Sequence, residues 1–223
     1  GVFSLKKGLD PEKDQSYFLY ALTQDQLARV LFPLGGRTKT EVRRMAKRMG
    51  LAVADKSDSQ EICFIPGDDY AAFLRERTPS AFRPGPVVAL DGRRLGQHGG
   101  IAGFTVGQRR GMGVAASGRL YVVSVDALTN TVVAGPDEAL RSKGLVASGV
   151  NYISGRRLER PFKARVKIRY RHADVEAVVT PVGAEGVRVA FTEPQRAVAP
   201  GQSVVFYRRG TVLGGGTIEG LAG

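Results

Sequence analysis

The first third of the chain carries hydrophobic residues at helical spacing. Two capping boxes, Thr23 with Gln26 and Thr38 with Glu41, predict the N-termini of two helices, and Gly50 is expected to end the second. An apolar stripe follows each box and is formed by Leu27, Val30 and Leu31 in the first helix and by Val42, Met45, Ala46 and Met49 in the second.

The period of the pattern then changes from helical to alternating. A third short helix is predicted first, through Tyr70, Phe73 and Leu74. Residues 87–98 predict a hairpin with a type I′ turn at Asp91-Gly92, and residues 120–135 predict a second hairpin. The glycine run Gly214–Gly216 indicates a bulge or close packing within a late strand.

These patterns predict an α+β multidomain fold. We expect a small helical connecting module over residues 1–83, a small β-barrel or β-rich domain over 84–144, and a C-terminal basic β-barrel over 145–223. Short strands separated by turns rich in glycine and proline are typical of antiparallel barrels. We therefore expect the two β domains to be predominantly antiparallel.

Charge and composition narrow the choice of partners. The 33 basic and 21 acidic residues give a net charge of +12, and half of that surplus falls in residues 150–223. Such a surplus favours nucleic acid over a charge that serves only solubility. No apolar run is long enough to predict a membrane span. The single cysteine excludes an internal disulfide and suits a reducing, cytoplasmic location, and the two distant histidines predict no metal site.

Two basic segments are candidates for phosphate contacts. The segment GQRRGMGV at 107–114 lacks a full dinucleotide-binding fingerprint, and its arginines either approach phosphates or border a plain tight turn. The segment VKIRYRHAD at 166–174 alternates as a strand does, which predicts Lys167, Arg169 and Arg171 on one face. Three like charges on one face indicate a surface that an anion covers. Tyr170 is either a core residue or a stacking partner for a nucleotide.

The only cysteine, Cys63, lies in the segment DKSDSQEICFI. A lone cysteine between Ile62 and Phe64 is typical of core packing, since a free cysteine behaves as a small hydrophobe. Sulfur chemistry instead requires a thiolate stabilised by nearby positive charge, and Lys56 is the closest candidate in sequence. The residues alone leave both interpretations open.

Several segments together resemble the tRNA-specific 2-thiouridylase family. They occur in the order of the family's motifs and extend along nearly the whole chain: GLDPEKDQSYFL (8–19), DKSDSQEICFIPGDDY (55–70), GFTVGQRRGMGV (103–114), LYVVSVD (120–126), KIRYRHAD (167–174) and APGQSVVFY (199–207). Members of this family replace the C2 oxygen of the wobble uridine of certain tRNAs with sulfur. The resemblance implies a helical connecting region followed by β-barrels, in agreement with the change of period.

The resemblance also implies roles for particular residues. Cys63 is expected to carry a catalytic persulfide, whose terminal sulfur ionises readily and can be transferred. The tRNA-binding positions of the family correspond to Lys13, Asp14, Gln15, Arg169, Tyr170 and Gln202. The expected partners are tRNA, through the anticodon arm that contains the wobble uridine, and an upstream sulfur donor such as a cysteine desulfurase or a sulfur relay protein.

The resemblance further implies ATP-dependent chemistry that residues outside this sequence supply. The family binds ATP through an N-terminal pyrophosphatase domain with an SGGxDS loop, and a second, upstream cysteine completes sulfur release, often through a disulfide with the persulfide cysteine. Neither feature occurs here, and the chain begins at Gly1. We therefore expect a C-terminal part of a sulfurtransferase that is inactive alone, with no cofactor site and no metal site of its own.

Two other functions are compatible with composition and fold class. One is a stand-alone β-barrel module that binds RNA and in which Cys63 is inert. The other is a basic structural or translation-associated barrel whose charge only brings it near RNA. Reactivity of Cys63 distinguishes the sulfurtransferase from both of these alternatives. Salt-dependent tRNA affinity identifies a protein that contacts phosphates.

Overall fold

The computed structural model describes residues 1–56, 70–114 and 118–222. These residues contain four short α-helices, α1 (Ser16–Leu19), α2 (Gln24–Leu27), α3 (Lys39–Arg48) and α4 (Tyr70–Arg77). They also contain ten strands: β1 (Gly85–Ala89), β2 (Arg94–His98), β3 (Tyr121–Asp126), β4 (Thr131–Gly135), β5 (Arg141–Tyr152), β6 (Phe162–Lys167), β7 (Val175–Val182), β8 (Gly186–Arg196), β9 (Ser203–Arg208) and β10 (Thr211–Leu221). The α+β class with a barrel is confirmed.

The described residues form two compact units. The first comprises residues 1–56, 142–194 and 200–222, and the second comprises residues 70–114, 118–141 and 195–199. The predicted domain boundaries at 83/84 and 144/145 stay a prediction. None of the described helices is long and apolar enough to cross a membrane.

Both capping boxes are present in the structure. The Thr23 hydroxyl accepts from the Gln26 backbone while the Gln26 side chain accepts from the Thr23 backbone, and Thr38 and Glu41 pair in the same way. Gly50 has a φ of 68° just past α3, a left-handed conformation that glycine adopts without steric cost. The helix starts and this helix end are therefore confirmed.

The predicted length of the first of these helices is wrong. Helix α2 ends at Leu27, which is buried, and Val30 and Leu31 lie beyond it. Leu31 is 90% exposed, so the two residues form no buried stripe with Leu27. In α3, by contrast, Val42, Met45 and Ala46 are half-buried as predicted, whereas Met49 is exposed. Capping fixes where a helix begins, but tertiary contacts decide how far it continues.

The second unit is built around a four-stranded sheet in the order β2-β1-β4-β3. Both predicted hairpins are present, β1 with β2 and β3 with β4, and β1 also pairs with β4 in parallel. The turn of the first hairpin is not type I′, because only Gly92 has a positive φ, at 84°. The Asp91 carboxylate accepts from the Arg93 backbone instead, which stabilises an Asx-type turn.

The first unit contains a closed six-stranded barrel in the order β10-β5-β8-β7-β6-β9. Strand β9 is buried on both faces, and its residues 204–207 have exposed fractions of at most 1%. Alternating residues of the strand point into the barrel and outward. The N-terminal segment covers the outer side, because Leu5, Tyr17 and Leu27 pack with Val205 and Tyr207 in one cluster.

The glycine run in β10 permits close packing, as predicted. A Cβ atom at Gly214, Gly215 or Gly216 would lie 2.2, 2.6 and 2.6 Å from the backbone oxygens of Asn151, Val204 and Ser148. Register shifts occur on either side of the run. The missing side chains thus let strands β5 and β9 approach β10, and they leave room for the Tyr20 ring 2.7 Å from the Cβ position of Gly215.

Candidate nucleic-acid interface

Two loops distant in sequence meet on the outer side of the barrel unit. One is the loop Lys13–Gln15, which precedes α1, and the other is the turn after β6 that contains Arg169 and Tyr170. The Gln15 amide donates a hydrogen bond of 2.7 Å to the Tyr170 hydroxyl across 155 positions of sequence. The fold therefore brings together two of the segments that the sequence resemblance identified separately.

The turn after β6 corrects the strand that was predicted over residues 166–174. Strand β6 ends at Lys167, and its pairing with β7 ends at Val166 opposite Val175. The Arg169 carbonyl accepts from the His172 backbone at 3.1 Å and so closes a turn. Lys167, Arg169 and Arg171 therefore do not share one strand face. Ile168 is buried and Tyr170 is half-buried, which leaves the Tyr170 side chain partly accessible at the surface.

The buried side chain of Asp14 stabilises the first loop through hydrogen bonds. Its side chain is 6% exposed, and its carboxylate accepts from the backbone of Gly8 and of Ser16 at 3.0 Å and from the Ser16 hydroxyl at 2.8 Å. The Ser16 hydroxyl lies 3.3 Å from that of Tyr207 on β9. Asp14 thus ties the loop to the barrel, whereas its neighbours Lys13 and Gln15 are exposed.

Three aromatic rings cluster between the two loops. The Phe18 and Tyr170 ring centroids lie 4.9 Å apart with an interplanar angle of 35°, and Tyr17 lies edge-on to Phe18 at 5.3 Å. Tyr17 is buried and donates to the Ser203 carbonyl at 2.8 Å, and burial raises the pKa of its hydroxyl to about 12. Phe18 remains 57% exposed. Tyr17 thus forms the buried, fixed side of the cluster, and Phe18 forms its accessible side.

Positive charge lies beside these rings. The Lys167 ammonium is 5.6 Å from the Tyr170 ring centroid and 6.0 Å from that of Tyr17, within reach of a cation–π contact. Burial lowers the pKa of Lys167, with Asp14 and Asp174 opposing this effect. Burial, followed by the positive charge of Arg169, also lowers the pKa of His172 and favours its neutral form near neutral pH.

An acidic residue joins the N-terminal segment to β6. Asp174 accepts from Lys7 and, at 2.7 Å, from Arg165, and the Lys7 ammonium lies 4.3 Å from the Tyr207 ring centroid. Burial by itself raises the pKa of Asp174, but the hydrogen bonds from Lys7 and Arg165 outweigh burial and the net shift is downward. Arg165 is therefore engaged in holding the scaffold.

Gln202, another predicted tRNA-binding residue, lies in the turn before β9. It immediately precedes Ser203, whose carbonyl accepts from Tyr17 and whose hydroxyl donates to Tyr20 at 3.2 Å. Its own carbonyl accepts from Ile218 at 2.8 Å, and its side chain is exposed. The backbone of Gln202 is thus fixed by the same packing that holds Tyr17.

Cys63 lies outside the described residues, and its predicted role stays a prediction. Among the described residues, no group of three or more His, Cys, Asp or Glu side chains suits a metal ion. In the second unit, Gln108 accepts from Thr105 and donates to the Arg110 carbonyl, and so it shapes its own loop. Arg109 and Arg119 line an open cleft of about 250 Å³.

Sequence reasoning missed three residues that shape this candidate surface. Phe18 is absent from the predicted site residues, although it follows Lys13–Gln15 closely in the same motif. Lys7 and Asp174 are also absent. They form an ion pair across 167 positions, and no local sequence pattern predicts such a pair. An aromatic residue three positions after the predicted RNA contact Gln15 was the one signal available in the sequence.

Three family models match consecutive parts of the chain. The model described as "tRNA methyl transferase HUP domain" matches residues 1–67, and "tRNA methyl transferase PRC-barrel domain" matches residues 71–136. The model described as "Aminomethyltransferase beta-barrel domain" matches residues 142–218. Together they account for most of the sequence.

Curated relatives match over nearly the whole chain. The "tRNA-specific 2-thiouridylase MnmA" of Roseiflexus castenholzii is 51% identical over 218 residues, which cover 97% of this chain and 58% of that protein. The proteins of the same name from Heliobacterium modesticaldum and Geobacter metallireducens are each 51% identical over 98% of this chain and cover 57% and 59% of their own lengths. The chain therefore spans less than two thirds of the length of these relatives, and it belongs to the tRNA-specific 2-thiouridylase family.

Proposed function

We propose that this chain is the tRNA-binding and sulfur-carrying part of a tRNA-uridine 2-sulfurtransferase. The observation that carries the proposal is identity of about one half with named 2-thiouridylases over 97% of the chain. The hydrogen bond between Gln15 and Tyr170 supports it further, because it joins two motifs to which the family resemblance assigns tRNA contacts.

The proposed RNA surface combines the half-buried Arg169 with three exposed side chains, those of Lys13, Gln15 and Gln202. Lys13 and Arg169 supply positive charge for phosphates, and Gln15 and Gln202 supply amide groups that both donate and accept. Asp14 acts indirectly, since its carboxylate is occupied by the loop backbone. The net charge of +12 attracts the anionic anticodon arm over longer distances.

Cys63 is proposed to receive sulfur from a donor persulfide and to present it to uridine. The Cys63 thiolate forms a bond to the terminal sulfur of the donor, the donor's S–S bond breaks, and its electron pair leaves with the donor thiolate. This exchange needs no external oxidant. ATP, bound by residues outside this sequence, is proposed to activate the uridine C2 oxygen as a leaving group, so we expect the chain to bind RNA without completing turnover.

Persulfide loading tests the sulfur-carrying role. After incubation with a cysteine desulfurase and cysteine, mass spectrometry of the Cys63 peptide is expected to show one added sulfur, because Cys63 is the only cysteine in the chain. The variant Cys63→Ser is the control and should show none. If the unchanged chain bound tRNA but took up no sulfur, the RNA-binding module without sulfur chemistry would be the better description.

Substitution of Arg169 tests the proposed RNA surface. We expect Arg169→Ala to weaken tRNA binding about tenfold at moderate salt and to reduce the slope of log affinity against log salt by about 1, because one phosphate contact is lost. Filter binding over a series of salt concentrations measures both values.

Arg188→Ala is the matched control for Arg169→Ala. Arg188 is an exposed arginine on β8, which pairs with neither β6 nor β9. Its removal lowers the net charge equally, so the two variants share any general electrostatic loss. An equal effect of both variants would assign the binding to overall charge and remove Arg169 from the interface.

A further inference from the structure

We infer that Phe18 and Tyr170 form a platform on which an unpaired base of the RNA stacks. The inference rests on the proposed function and adds to it a residue, Phe18, and a chemical class of ligand, an unstacked nucleobase. A phosphate cannot stack on an aromatic ring, and the bases inside a paired duplex already stack on one another. An unpaired nucleobase has a free π-face that can stack on the platform.

The geometry of Phe18 is the first observation. Its ring lies 4.9 Å from that of Tyr170, yet the residue remains 57% exposed. On a helix of only four residues, Phe18 points outward while its neighbour Tyr17 is 3% exposed and packs into the core. The pair therefore leaves an aromatic face open to solvent, and a further ring can stack on that face.

The rigidity of the platform is the second observation. The Tyr170 hydroxyl accepts from Gln15, and Tyr17 packs edge-on against Phe18 while it is anchored to the Ser203 carbonyl. The rings are thus held from two sides by residues on different parts of the fold. A preorganised surface of this kind loses little conformational entropy when a base binds.

The charge around the platform identifies the ligand. Lys167 lies 5.6 Å from the Tyr170 ring centroid, and Arg169 directly precedes Tyr170 in the same turn. Aromatic faces bordered by cations are the arrangement that single-stranded nucleic acids require, since the cations follow the backbone while the rings receive the bases. An apolar protein partner would gain nothing from these charges and would have to desolvate them.

Tryptophan fluorescence provides the test. The chain contains no tryptophan, so Phe18→Trp would introduce a single reporter with a larger stacking face. With an RNA stem-loop that carries an unpaired, uridine-containing loop, we expect quenching of this reporter with the same midpoint as binding. Phe3→Trp, at another exposed phenylalanine of the same unit, should show no comparable quenching.

Affinities of Phe18→Leu complete the test. Leucine keeps an apolar side chain but lacks the π-face, so binding of the stem-loop should weaken about tenfold with an unchanged salt dependence. Binding of a fully paired RNA duplex with the same number of nucleotides should not change. Thermal unfolding of the variant shows whether the fold is kept.

Four results would overturn the platform. Stem-loop binding without quenching of Phe18→Trp would remove the base from this surface while leaving the proposed function intact. An equal loss of affinity for the stem-loop and for the duplex in Phe18→Leu would lead to the same conclusion. So would a variant that binds both RNAs as tightly as the unchanged chain does. Failure of the unchanged chain to bind the stem-loop would instead overturn the proposed function, and the platform with it.

Discussion

Replacing Gly216 with alanine is expected to lower the free energy of unfolding of the barrel unit by about 2–4 kcal/mol. A Cβ atom at this position would lie 2.6 Å from the Ser148 backbone oxygen and 3.0 Å from a methyl group of Val150. Both neighbours belong to β5, which β10 must pair with to close the barrel. Backbone cannot give way as a flexible side chain can, so the strands have to separate.

Urea unfolding followed by circular dichroism measures this loss. Gly220→Ala is the matched control, because Gly220 lies on the same strand and a Cβ atom there meets nothing within 4 Å. We expect the control to change stability by less than about 0.5 kcal/mol. Equal midpoints for the two variants would show that the close approach of β5 and β10 at Gly216 contributes nothing to barrel stability.

Replacing Asp14 with alanine is expected to cost about 2–4 kcal/mol of stability and, in addition, to weaken RNA binding. The carboxylate is buried and satisfies the backbone of Gly8, the backbone of Ser16 and the Ser16 hydroxyl. Its removal leaves these donors without a partner in a site that water reaches poorly. The loop that presents Lys13 and Gln15 then loses its attachment to the barrel.

Two further variants separate the structural role of Asp14 from a simple loss of charge. Asp14→Asn retains one acceptor oxygen and should recover part of the stability, whereas Asp25→Ala removes an exposed carboxylate from the first turn of α2 and should change it by less than about 1 kcal/mol. Stability and RNA affinity should fall together in Asp14→Ala. Weaker RNA binding with unchanged stability would instead indicate that Asp14 contacts RNA directly.

Features that depend on neighbouring residues were predictable from the sequence. The capping boxes at Thr23 and Thr38 close through hydrogen bonds that span three residues, so the motif contains all of its own partners. Gly50 could likewise be placed at the end of a helix from its type alone. The turn at Asp91-Gly92 was predicted as a turn but with the wrong type, because Asp91 bonds to the Arg93 backbone rather than adopting a left-handed φ.

The predicted interface shows the limit of this kind of reasoning. The family resemblance identified Gln15 and Tyr170 as separate candidates, and nothing in the sequence indicated that they share a hydrogen bond. The alternation through residues 166–174 predicted a strand, yet the strand stops at Lys167. Strands persist only where a partner strand continues, and β7 begins its pairing at Val175.

The sequence by itself determined the family, the α+β class, the helix starts, the hairpins and the positive charge that favours nucleic acid. Only the tertiary structure decided that Asp14 is buried beneath its loop, that Asp174 joins Lys7 to Arg165, and that Phe18 lies against Tyr170 at the surface. The reason is the range of the interactions. Local hydrogen bonds and periodicity involve residues only a few positions apart in sequence. Burial and ring contacts depend on which distant strands the barrel brings together.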